Sequence, residues 1–92
     1  MKTMKLHLSI QIWQKGSWLL DKCPELEFVS QGRTRKEAQE NLMEVIEIQF
    51  EEMSRMGTLN EYLDECGYEV KDDVAVPQAE MVGFEKLDMQ VQ

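Results

Sequence analysis

Residues 23–50 carry the pattern that most restricts the fold of this chain: CPELEFVSQGRTRKEAQENLMEVIEIQF. Thr34 and Glu37 have the spacing of a capping box, in which each side chain accepts a hydrogen bond from a free backbone N–H at the start of a helix. Gly32, just before them, supplies a turn. The pattern predicts a strand, a tight turn and a long helix, in that order.

The helix is expected to run from about Arg35 to Arg55, with Gly57 as the residue that ends it. Its apolar residues recur at the spacing of an amphipathic helix and should pack on a sheet to form the core. These apolar residues are Ala38, Leu42, Val45, Ile46, Phe50 and Met53.

Three strands are predicted before this helix. Residues 6–13 alternate in polarity, so even positions should face the core. A hairpin turn at 14–17 would lead into a second strand over 18–23, which Pro24 ends because proline has no N–H to donate. A third strand is expected over 27–31. If Lys15 and Gly16 are the central turn residues, Trp13 lies opposite Trp18.

The rest of the chain predicts smaller elements. Thr58 and Glu61 form a second capping box for a short helix that Gly67 closes, and Tyr68–Val70 reads as a strand followed by a polar turn at 71–73. Residues 74–81 read as irregular. Alternation over 87–91 predicts a last strand. The fold class is α+β: a three- to four-stranded, mainly antiparallel sheet on one long helix, with a short helix and a C-terminal strand.

Charge and composition restrict the function. A length of 92 residues predicts one domain, and a net charge of −8 with pI about 4.6 argues against direct nucleic-acid binding and favours a basic protein partner. Alternatively, the charge serves only solubility. No apolar run is long enough to span a membrane. Two cysteines are too few for a disulfide framework, so a reduced, cytoplasmic protein is expected.

Candidate catalytic groups are sparse. His7 is the one histidine of the sequence, and neither Cys23 nor Cys66 has the setting of a reactive thiol. Carboxylates cluster at Asp21, Glu25 and Glu27, where they could hold Mg²⁺ or simply be the polar residues of a turn. We therefore expect no catalytic site, no metal and no cofactor.

Two surfaces are candidates for binding. A stripe of acids at helical spacing includes Glu40, Glu44 and Glu47, which are the candidate contacts to a basic partner; the alternative is an ordinary solvated face. We expect Trp13 and Trp18, on the outer face of a hairpin, to be covered by another chain or by the C-terminal segment. With the edge offered by the last strand, they predict a homodimer or homotetramer. The residues expected at that oligomer interface are Trp13, Trp18, Leu87, Met89 and Val91.

Several short motifs together resemble the HicB-like antitoxin family. They are Gly16-x-Trp18, Cys23-Pro24-Glu25-Leu26, Ser30-Gln31-Gly32-x-Thr34, Glu37-Ala38, Asn41-Leu42 and Ile46-Glu47. The resemblance implies a partial ribonuclease-H-like fold, β-β-β-α-β, that lacks the active site of that enzyme. It also implies binding to a HicA-type toxin, a small basic ribonuclease that cleaves messenger RNA and whose active site the antitoxin covers. Members of the family commonly form dimers or tetramers.

The chain departs from the family in two places. The tight turn and small residues expected after the Cys-Pro-x-Leu motif are absent around Glu27. Residues 74–92 are too short and too acidic for the usual DNA-binding module. Residues 1–73 would form the HicB-like domain, with 74–92 as a C-terminal extension of that domain or of the oligomer interface. The alternative function is a stand-alone HicB-like oligomer with another target, and a small hydrolase or nuclease is a third class suggested by fold alone.

Overall fold

The structure, a computed structural model, describes residues 4–91. Six strands and two helices follow one another within these residues. They are β1 (Lys5–Leu6), β2 (Gln11–Lys15), β3 (Trp18–Cys23), β4 (Phe28–Gly32), α1 (Arg35–Met56), α2 (Leu59–Glu65), β5 (Tyr68–Lys71) and β6 (Val74–Pro77).

The strands form two sheets of three. In the first, β2, β3 and β4 are antiparallel neighbours in that order. In the second, β6 lies between β1 and β5, parallel to β1 and antiparallel to β5. The long helix α1 packs on β3 and β4. The predicted α+β class, mainly antiparallel with one long helix and one short helix, is confirmed.

The ends of α1 follow from its capping residues. Thr34 Oγ1 accepts a hydrogen bond from the Glu37 backbone N–H at 3.0 Å. Gly57 has φ 74°, the left-handed conformation that commonly ends a helix. The predicted start and end of this helix are therefore confirmed. Thr58 differs, because its side chain makes no capping bond to α2 and its hydroxyl instead donates to Met53 O at 3.5 Å.

Gly32 is required by close packing rather than by a turn. It is the last residue of β4, and a Cβ atom on it would lie 2.5 Å from the backbone nitrogen of Ala38. Two bonds join α1 to β4 nearby: Ser30 Oγ donates to Ala38 O at 2.7 Å, and Asn41 Nδ2 donates to Gln31 O at 2.9 Å. The absence of a side chain at Gly32 lets the helix backbone approach the strand this closely.

The core lies between α1, α2 and the sheets. Met4, Leu6, Leu8 and Ile10 are partly buried against it. Its buried members are Cys23, Leu26, Leu42, Ile46, Leu63, Tyr68 and Ala75.

The predicted first strand is interrupted. Residues 7–10 carry no strand assignment, and the Ser9 backbone N–H donates to Glu25 Oε1 at 3.1 Å instead of to a neighbouring strand. Even positions face the core only as far as Ile10. Ile12 is 54% exposed because α1 packs on β3 and β4 and does not reach β2.

The first hairpin is also shifted from its predicted register. Its turn residues are Gly16 and Ser17, with Gly16 at φ 63°, which fits a type II′ turn. Lys15 pairs with Trp18 and Trp13 pairs with Leu20, so the prediction that the two tryptophans lie directly opposite each other is wrong. They still share one face of the sheet, as diagonal neighbours.

A tight turn does follow Cys23, contrary to the sequence expectation. The Glu27 backbone N–H donates to Cys23 O at 2.8 Å, and Glu27 has φ 60°. A glutamate therefore occupies a left-handed position that glycine would adopt with less strain.

The C-terminal half departs most from prediction. Residues 74–77 were expected to be irregular, yet they form β6 with Ala75 completely buried. The strand expected over 87–91 is absent, since residues 78–91, here called the C-terminal arm, carry no helix or strand. Alternating polarity makes a strand only where a neighbouring strand satisfies the backbone, and the arm has none within residues 4–91.

Candidate functional site

The acidic residues of α1 enclose a shallow groove of about 360 Å³ on the exposed side of the helix. Glu40, Glu44 and Glu47, the three predicted partner contacts, all line it, so the structure brings them together. We call this surface the acidic groove, and its other lining residues are Lys36, Gln39 and Met43.

The acidic groove combines negative charge with an apolar centre. Met43 is 42% exposed and lies one turn along the helix from Glu40 and Glu47. Lys36 Nζ lies 3.9 Å from Glu40 Oε1, and both side chains are largely exposed. Such a surface pair is weak, so the groove keeps its negative charge. An exposed thioether among carboxylates can contact both the aliphatic stem and the charged end of a lysine or arginine.

The opposite side of α1 holds the helix to the sheet. Ala38, Leu42 and Ile46 are buried there. Side chains in the acidic groove can therefore be replaced without removing any of the buried side chains that carry the fold.

A second acidic surface, the acidic cleft, lies where the β3–β4 turn, the end of α2 and the start of the arm meet. It measures about 720 Å³, and four carboxylates line it. They are Glu25, Glu27, Glu65 and Glu80.

The polar groups beside the acidic cleft maintain the turn. Burial raises the pKa of Glu25, but hydrogen bonds from the Ser9 side chain and backbone, from its own backbone N–H and from the Cys23 thiol together outweigh burial, and the net pKa is lowered. Burial, aided by the charge of Glu25, raises the pKa of the Cys23 thiol to about 11, so Cys23 stays protonated at neutral pH. Burial also raises the pKa of Tyr62, whose hydroxyl donates to Leu26 O at 2.6 Å. These groups act as structural donors and acceptors, and the Cys23 thiol and the Tyr62 hydroxyl both stay protonated at neutral pH.

The three carboxylates that were candidate Mg²⁺ ligands lie in different settings. Asp21 is completely buried and binds Arg35, Glu25 binds the Ser9 backbone, and Glu27 is exposed in its turn. No group of three or more potential metal ligands occurs within residues 4–91. His7 is exposed, and its carbonyl accepts a hydrogen bond from the Tyr68 hydroxyl at 2.8 Å.

The sheet face opposite α1, here the outer sheet face, is aromatic and cationic. Lys22 Nζ lies 4.9 Å from the centre of the Trp13 ring, and the Arg33 guanidinium lies 4.4 Å from that of Trp18. The pairing register places no carboxylate on this face. Its residues are Gln11, Trp13, Lys15, Trp18, Leu20, Lys22, Val29, Gln31 and Arg33.

The five residues predicted at an oligomer interface fall into two separate groups. Trp13 and Trp18 lie on the outer sheet face. The other three lie on the arm, where Leu87, Met89 and Val91 are 83%, 82% and 79% exposed. One chain alone does not bring the two groups into contact.

Sequence reasoning missed the apolar centre of the groove and the cations beside the tryptophans. Met43 lies outside the apolar stripe of α1, so helical spacing alone could have placed it among the acids. The positions of Lys22 and Arg33 beside the tryptophans depend on the strand register, and the sequence analysis placed the hairpin turn one residue too early.

No helix among residues 4–91 is long and apolar enough to cross a membrane. Comparisons of the chain with models of protein families, with curated proteins and with solved structures returned no match.

Proposed function

We propose that the protein is a non-catalytic, antitoxin-like binding protein that occludes a small basic ribonuclease of the HicA type. The observation that carries this proposal is the convergence of Glu40, Glu44 and Glu47 around the exposed Met43 in the acidic groove. The motif resemblance to HicB-like antitoxins supplies the class of partner, and the groove supplies a surface of the complementary charge.

The mechanism follows from the position of the groove. A basic segment of the toxin would lie along α1, with its lysine or arginine stems over Met43 and its charged ends at the three carboxylates. Because α1 is fixed to the sheet by its buried face, the groove is already formed before binding. The bound protein would then keep messenger RNA out of the toxin's active site by steric cover.

The test is a titration with a purified HicA-type ribonuclease, read by calorimetry and by cleavage of a labelled RNA. We expect binding that inhibits cleavage and weakens as salt rises. Reversing all three groove acids, Glu40→Lys, Glu44→Lys and Glu47→Lys, should weaken binding at least about tenfold, or about 1.4 kcal/mol.

A control with the same change in net charge separates the groove from general attraction. Glu61, Asp64 and Glu69 are exposed on α2 and β5, and their reversal to lysine should weaken binding much less. Equal losses from both triple variants would contradict a specific groove, and no binding by the unmodified chain would contradict the toxin as partner.

A second candidate is a stand-alone oligomeric domain of the same type with another target. The exposed tryptophans of the outer sheet face favour it, because a monomer rarely leaves such a patch uncovered. Recovery of only copies of the same chain in a pull-down from the host would favour this candidate over the toxin.

A further inference from the structure

The strand β2 has an open edge. It is an outer strand of its sheet, paired only with β3, so one side of its backbone has no neighbouring strand within residues 4–91. Ile12 and Trp13, on its two faces, are both about half exposed. A strand laid against this edge would satisfy the outward backbone groups and cover both side chains.

The C-terminal arm has the features of such a strand. Over 87–91 the apolar Leu87, Met89 and Val91 alternate with Asp88 and Gln90. This segment has five residues, as has β2. All residues of the arm are exposed, so its own chain leaves these side chains in water.

Charge and polarity both favour pairing of the arm with the edge of β2. The outer sheet face carries Lys15, Lys22 and Arg33 with no carboxylate, whereas the arm has three acids, Glu80, Glu85 and Asp88, against one lysine. If the apolar side of the arm lies beside Ile12, the alternation turns Asp88 toward the cations on the other side.

We propose that the arm of one copy of this chain pairs with the open edge of β2 in a second copy, placing Met89 beside Ile12 and Asp88 near Lys15. Reciprocal exchange of arms gives a closed, two-fold symmetric dimer. The sheet of each copy gains a fourth strand. The interface lies at the edge of β2, and neither β2 nor the arm contributes a residue to the acidic groove, so this proposal stands independently of the toxin partner.

The first test is light scattering of the intact chain at micromolar concentration. We expect a mass of twice the 10.8 kDa chain. Met89→Asp should raise the dimer dissociation constant at least tenfold, whereas Met56→Asp, an equal change at the exposed end of α1, should not. A monomer mass for the unmodified chain would overturn the proposal, as would a dimer that Met89→Asp leaves unchanged, since that dimer would join the tryptophan faces directly.

The second test locates the arm. Two differently tagged chains, one with Ile12→Cys and the other with Met89→Cys, are mixed in a Cys66→Ser background and mildly oxidised. Cys23 is buried, so it should not compete. We expect a disulfide-linked heterodimer, and no link when the first chain carries Glu69→Cys on β5 instead. The absence of the link from Ile12→Cys would overturn the placement of the arm.

A charge exchange tests the orientation of the arm. Lys15→Glu and Asp88→Lys should each raise the dimer dissociation constant several-fold, and the double variant should restore it in part. No restoration would overturn the placement of Asp88. Tight binding of a labelled single-stranded RNA that competes with dimerisation would instead assign the aromatic and cationic face to nucleic acid.

Discussion

The guanidinium group of Arg35, the first residue of α1, binds the carboxylate of Asp21, which is completely buried in β3. The other carboxylate oxygen, Asp21 Oδ2, has no hydrogen-bond partner within residues 4–91. Arg35 is therefore the main group that offsets the cost of burying this charge. The pair ties the first turn of the helix to the middle strand of the sheet.

Loss of Arg35 should destabilise the fold. We expect Arg35→Ala to lower the free energy of unfolding by about 1.5–3 kcal/mol, because a buried carboxylate then loses its charged donor. Urea denaturation measures the change. Arg55→Ala is the control: Arg55 pairs with Glu52 on the surface, and its loss should cost at most about 1 kcal/mol. Equal losses would show that Asp21 does not depend on Arg35.

The two helix starts differ in their caps, which gives a matched pair of variants. Thr34 caps α1 through its side chain, so Thr34→Ala should cost about 0.5–2 kcal/mol. The Thr58 side chain makes no such bond to α2, so Thr58→Ala should cost less. Thermal unfolding of both variants is the measurement, and a larger loss at Thr58 would contradict this assignment of the caps.

Local signals explain what the sequence could predict. The capping box at Thr34 and the period of Ala38, Leu42 and Ile46 act within one helix, and the structure has that helix within a residue or so of the expected bounds. The acids of the groove followed from the same period, because side chains three and four residues apart share a helix face.

Three of the failures involve contacts between distant parts of the chain. Residues 74–77 lack a distinct strand pattern, and β6 forms because β1 and β5 lie on both sides of it. Residues 87–91 have the pattern but no neighbouring strand in the described part of the chain, and they remain exposed. Ile12 continues the alternation of Leu8 and Ile10, yet neither α1 nor α2 packs on its strand. Alternating polarity shows only that a segment can form a strand. Whether the strand forms depends on neighbouring segments that are distant in sequence.

Gly32 should not tolerate a side chain. The Cβ atom in Gly32→Ala would lie 2.5 Å from Ala38 N, so α1 must move away from β4, and we expect a loss of about 1–3 kcal/mol. Gly83→Ala is the control, since no atom of residues 4–91 beyond its chain neighbours lies within 4 Å of the added Cβ. Chemical denaturation compares them, and a stable Gly32→Ala variant would contradict the close approach of helix and strand.

Glu25 should make stability depend on acid pH. Its pKa is lower in the folded chain than the ordinary value of 4.5, so the unfolded chain takes up the proton first as pH falls. The stabilisation is complete above about pH 4.5 and is lost as pH falls through the lower, folded value.

Glu25→Gln removes this dependence. The variant should be less stable than the unmodified chain at pH 7, and the difference should shrink below pH 4.5. Denaturation midpoints between pH 3 and 7 measure it, with Glu85→Gln on the exposed arm as control. A difference that grows on acidification would reverse the sign of the assigned shift.

The parallel pairing of β1 with β6 sets an order of events during folding. Lys5 lies beside Val74, so the two strands are far apart in sequence, with β2, β3, β4, both helices and β5 between them. The antiparallel hairpins and α1 join residues close in sequence and can form early, whereas closing this long loop is slow. On a ribosome, β1 is made before β6, so it stays without this neighbouring strand until β6 has emerged. The pairing of β1 with β6, which completes the second sheet, is then the last to form.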